Sequence, residues 1–90
     1  MERERVESAL RGVLETLAAI EHDRWSHWQR YMHSKCERQP DGSLLIPSEL
    51  VAQWERQITA DYKELSEAEK ESDREQVRRY LPTILEALCE

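Results

Sequence analysis

The chain has 90 residues, of which 39% are hydrophobic and 36% charged, and its formal charge at pH 7 is -6. A chain this short buries only about 60 to 65% of the surface it exposes when unfolded, so one domain of modest stability is expected, and self-association would help it. The acidic balance argues against binding nucleic acid polymers, whose phosphates are met by clustered Lys and Arg. A small anionic ligand in a local basic pocket remains compatible with it. No apolar run approaches the ~20 residues that cross a bilayer, so no membrane partner is expected.

Cys36 and Cys89 are the only cysteines and lie far apart. The first residues are charged and do not read as a secretion signal. Reduced thiols and a cytoplasmic location are therefore expected.

At about 100° of rotation per residue, Val6, Leu10, Val13, Leu14, Leu17, Ile20, Trp28, Tyr31 and Met32 gather on one side of a helix. That periodicity predicts helix over residues 4–34. Gly12, about 1 kcal/mol worse than Ala inside a helix, is the natural place for a bend. Pro40, Asp41 and Gly42 then signal a turn, followed by Leu44, Leu45 and Ile46, which suits a short hairpin or extended excursion. Ser48 is placed to cap a second helix carrying Leu50, Val51, Trp54 and Ile58 inward, and residues 59–63 form a connection.

Ser66 followed by Glu69 is a capping box, in which each side chain satisfies the other residue's free backbone N–H, so the last helix is predicted to start at Glu67. Its stripe is Val77, Tyr80, Leu81, Ile84, Leu85 and Leu88. Pro82 lacks an N–H and is expected to break or kink the helix just before it. The fold class that results is mainly α: a single small helical domain over residues 1–90 with a short hairpin or extended excursion.

Charged residues fall where the helical stripes should be apolar. Glu21 and Arg24 interrupt the first stripe, and Lys70, Asp73 and Arg74 extend the last one. Charges on a core-facing stripe need partners, which predicts a buried polar cluster. Such a cluster is either an ion-pair network pinning the last helix to the first or the basic wall of a ligand site. Trp28 falls mid-stripe and reads as core. Trp25 falls on the stripe's edge beside His22 and Gln29, with His22 one turn behind it. It either offers an indole face to a cavity or simply packs, with His22 bonding a backbone carbonyl.

Other chemistry finds less support. His33 and Cys36 have a suggestive spacing, but a closed zinc site needs four ligands, and His22, His27 and Cys89 are distant in sequence. No glycine-framed Ser or Cys accompanies a base, and Gly12 and Gly42 alone cannot build a phosphate-cradling loop. No catalytic residue, metal or cofactor is expected, although Glu21 or Asp73 has the chemistry of a base.

The stretches LAAIEHDRW, residues 17–25, and YKELSEAEKESD, residues 62–73, together resemble the RyR domain, the repeat named after ryanodine receptors and also found in bacterial and phage proteins. The shared pattern is a His, two residues and a Trp, then an aromatic residue and a Leu before an acidic-Lys segment ending in Asp. The likeness covers most of residues 17–88. It departs after the Trp, where the family usually has a Gly-Trp-aromatic-Gly segment and this chain reads YMHSKCERQPDGSLLIPSELVAQWERQ.

Paired repeats of that family bind an adenine nucleotide. The resemblance implies that Trp25 stacks on a base with His22 as its support, that Arg24, Lys70 and Arg74 meet phosphate, and that Gln29 and Tyr62 belong to the same ligand-binding set, with Glu21 and Asp73 as its polar frame. It also implies a homo-oligomer, because one repeat supplies half a site. Stand-alone relatives suggest a phage setting in which a nucleotide immune signal is sequestered as anti-defence. Two functions follow as expectations: non-enzymatic nucleotide binding, or a structural or adaptor protein that binds another protein through its middle segment.

Overall fold

The computed structural model describes residues 2–89, and about 77% of the chain is helical. Helix α1 spans Arg3–Arg11 and α2 spans Leu14–Lys35, followed by strands β1 (Glu37–Arg38) and β2 (Leu44–Leu45). Helix α3 covers Ser48–Thr59, a 3-10 turn covers Tyr62–Glu64, and α4 covers Glu67–Leu88. The mainly α class with a short hairpin is as the sequence predicts.

The break between α1 and α2 falls at Gly12 and Val13. The Gly12 N–H donates to the Ser8 carbonyl at 3.1 Å and the Val13 N–H to the Leu10 carbonyl at 3.2 Å, which tightens the end of α1 before α2 begins. A Cβ at Gly12 would sit 3.3 Å from the Ala9 carbonyl oxygen, a close approach that suits glycine. The expected bend is a full interruption.

The hairpin pairs Glu37 with Leu45 and Arg38 with Leu44 in antiparallel register. Its loop closes through the Gln39 N–H donating to the Ser43 carbonyl at 2.8 Å. Asp41 accepts from both the Ser43 N–H at 2.9 Å and the Ser43 hydroxyl at 2.6 Å, a local side-chain turn of the kind Asp favours. Gly42 takes a φ of 91°, a backbone region open to glycine and strained for other residues.

Two boundary expectations need correction. Ser48 is the first residue of α3 and does not cap it: Pro47 holds that position, with no side-chain cap. Proline presets φ near −65°, and here its carbonyl accepts the Leu50 and Val51 N–H groups at 3.0 and 3.1 Å. Pro82 does not break α4, which runs on to Leu88. By then 15 helical residues precede it, and losing one backbone bond does not outweigh a helix already nucleated.

Helix α4 is the organising element, packing against both α1 and α2. Interior side chains are a different matter. The molecule measures 55 × 33 × 17 Å, and a helix with its side chains is about 10–12 Å across. Helices spread over so long and shallow a shape do not surround a residue, and among the described residues none is buried. Trp28 is therefore not core but 41% exposed, and Val51 and Ile58, expected to point inward, are 40% and 75% exposed. The radius of gyration is 18.0 Å, against about 12 Å for a compact domain of this length.

The capping box forms as predicted: the Glu69 N–H donates to Ser66 Oγ at 3.2 Å, and the Ser66 N–H donates to Glu69 Oε1 at 2.9 Å. Ser66→Ala should lower stability by about 1 kcal/mol. Urea unfolding followed by circular dichroism checks this, with the slope unchanged.

Candidate functional site

The charged residues singled out in the sequence do not form one buried cluster. Among the described residues no polar or charged side chain is buried. Helical spacing explains why, since residues three or four apart are neighbours and each cation finds a carboxylate on its own helix first. Arg24 Nε donates to Glu21 at 3.1 Å along α2. On α4, Arg74 bonds Glu67 at 3.4 Å and Glu71 at 3.3 Å, Arg78 bonds Glu71 at 2.6 Å and Glu75 at 3.0 Å, and Lys70 lies 3.7 Å from Glu67. Being open to water and salt, such pairs add little stability.

One bond does tie the first long helix to the last. The Tyr80 hydroxyl donates to Glu21, which also accepts from Arg24. The Arg24 bond, then the Tyr80 bond, hold the Glu21 carboxyl down at about 2. The same contact pushes the Tyr80 phenol up. The expectation that Glu21 belongs to a helix-joining polar network therefore has a structural counterpart, but with Tyr80 as the partner on α4 in place of Lys70 or Arg74.

Glu69 is the second tie, and nothing in the local sequence announces it. Besides its capping role it accepts from Gln57, and from Arg56 at 3.3 Å, both on α3. The Gln57 bond, followed by the Ser66 contacts, lowers its carboxyl to about 2. The Lys70 ammonium sits 5.8 Å from the centre of the Tyr62 ring and is mostly covered. This cation–π contact holds the 3-10 turn against α4.

Trp25 and His22 are neighbours on α2 as predicted, with ring centres 5.9 Å apart and planes 21° apart. The His22 ring faces the Ser26 hydroxyl at 3.4 Å. Trp25 is 54% exposed. Gln29, one turn on, is half-buried.

Two concavities lie near these residues. One, of about 330 Å3, is lined by Tyr62, Asp73, Arg74, Val77 and Arg78. The other is an open trough of about 870 Å3 between α2, α3 and α4. Its aromatic lining is Trp28, Tyr31 and Trp54; Trp28 stacks on Tyr31 at 5.6 Å and meets Trp54 edge-on, also at 5.6 Å. Arg24 and Asp73 stand on its edges, whereas Trp25 and His22 line neither concavity. Arg24 and Asp73 thus line one concavity and Tyr62, Asp73 and Arg74 the other, but the ligand-binding set is not gathered around Trp25. The trough was not legible in the sequence beyond the apolar spacing of Trp54 and Ile58.

Gln76 also lines the trough, and its amide oxygen is desolvated without a donor. Among the described residues no three His, Cys, Asp or Glu side chains converge as a metal ion would require. Among the described residues no helix is long and apolar enough to cross a membrane. Cys36 and Cys89 are both free thiols.

Glu21 and Glu69 ionise more readily folded than at their ordinary value of 4.5. A carboxyl lowered by folding contributes stability above its unfolded pKa, and that contribution disappears as pH falls through the folded value. Thermal melts should therefore shift downward between about pH 4.5 and pH 2. Tyr80→Phe should raise the Glu21 pKa, read by NMR titration of the carboxyl carbon, and leave Glu69 where it is.

Comparison of the chain with models of protein families, with curated proteins and with solved structures returned no match.

Proposed function

We propose that the chain is a non-enzymatic protein-binding module whose working surface is the α2–α3–α4 trough. The observation that supports this most is the trough itself: an aromatic, open groove on a chain with no buried side chain among its described residues. Large apolar surfaces left in water mark interaction sites. Trp and Tyr at their centre are the residue types that carry most binding energy at protein interfaces. The middle segment expected to bind a partner, residues 44–54, contributes Gln53 and Trp54 to the trough.

Nucleotide capture is the alternative, favoured by one observation: the exposed Trp25 indole, braced by His22. Charge weighs against it. Arg24 and Arg74 already bond carboxylates, and a phosphate would have to displace these in a chain of charge -6. The RyR-domain resemblance, with its phage setting and nucleotide sequestration, belongs to this alternative.

Affinity capture with a tagged chain, with the captured proteins identified by mass spectrometry, separates the two. Ile58→Glu should weaken partner binding by about 30-fold or more, as loss of a central contact does, while Trp25→Ala should leave it intact. Heat on titration with mono-, di- or cyclic nucleotides that vanishes in Trp25→Ala would establish the alternative instead.

A further inference from the structure

We propose that the occupant of the trough is a second copy of this chain, paired about a two-fold axis running along the groove. The proposal rests on the protein-binding reading above and adds the partner.

Surface area is the first argument. The chain exposes 7389 Å2, whereas a compact monomer of 10.7 kDa exposes about 5,500 Å2. The excess is about 1,900 Å2 per chain. Covered in a symmetric pair whose contact extends beyond the trough to the exposed apolar residues around it, it would amount to about 3,800 Å2 in total, inside the range of obligate dimers, which runs from about 2,000 to 5,000 Å2. The missing interior and the surplus surface are then one fact, since obligate interfaces resemble a domain core cut in half.

Charge is the second. The chain carries -6, so a copy meets a copy against repulsion unless the contact face is nearly balanced. The charged residues lining the trough are Arg24 on the α2 side and Glu69 and Asp73 on the α4 side. With Arg24 bonded to Glu21 and Glu69 to Arg56, most of the charge lining the trough is compensated within each chain, so two copies can meet there without strong repulsion. The apolar centre, Trp28, Trp54 and Ile58, meets its own image, as a closed isologous interface requires.

Analytical ultracentrifugation of the wild-type protein from about 1 to 100 µM, combined with melts across the same range, tests the proposal. The expected mass is twice 10.7 kDa, with a melting temperature that rises with concentration as linkage demands. Ile58→Glu should weaken the pair by about 30-fold or more; it appears either as a folded monomer or as a chain whose helix content returns on concentration. Leu14→Glu, also well exposed but not among the residues lining the trough, should dimerise as the wild type does. Acrylamide quenching of tryptophan emission should fall on dimerisation.

A folded wild-type monomer with a concentration-independent melt overturns the proposal. So does a dimer that Ile58→Glu leaves equally tight. Should the chain be monomeric yet lose a captured heterologous protein in Ile58→Glu, the second-copy assignment fails and the protein-binding reading stands; if that variant also keeps its captured partners, both fail.

Discussion

Thickness is the constraint from which the other properties of this molecule follow. Helices laid in a plate 17 Å deep have neighbours at their sides and water above or below, so each amphipathic stripe is satisfied along one edge only. Hydrophobic burial scales with the area removed from water, at roughly 25 cal/mol per Å2, and a single chain of this shape removes little. Polar ties between α4 and its neighbours, Glu21 with Tyr80 and Glu69 with Gln57, set the relative placement of the helices. The first is exposed and the second only half-buried, so they cannot replace a core.

The same shape governs the electrostatics. Arg24, Arg74 and Arg78 each find an opposite charge within one turn of their own helix, whereas Arg56 reaches across to Glu69. Convergence of charges from distant segments would need a closed interior to force them together. Without one, the acidic and basic residues of α4 settle into a ladder along its outer side, with Lys70 turned instead toward the Tyr62 ring. Residues that read as the basic wall of a ligand site are thereby engaged locally.

An aromatic groove and a surplus of surface point the same way. Trp28, Tyr31 and Trp54 already contact one another, so the trough offers a partner a preformed, rigid apolar floor, and ordering those side chains adds little cost on binding. Its nearly balanced charge contrasts with the acidity of the chain as a whole. A protein partner, and most simply another copy, meets the demands of that surface better than a phosphorylated small molecule does.

Local features were legible in the chain itself. The Ser66 and Glu69 cap, Gly12 as the weak point of the first helical stretch though not its full interruption, the Asp41–Gly42 turn and the His22–Trp25 neighbour pair depend on residues within four positions of one another, and backbone geometry alone decides them. Of the break or kink expected at Pro82, the break does not occur, because a proline's local penalty competes with a long helix on both sides of it. The placements of Trp28, Ile58, Glu69 and Tyr80 could not be read in advance: periodicity says which residues share a face, not whether anything covers that face. Only the arrangement of α2, α3 and α4 decided that, because burial and long-range hydrogen bonding belong to the distance between helices, which no single helix encodes.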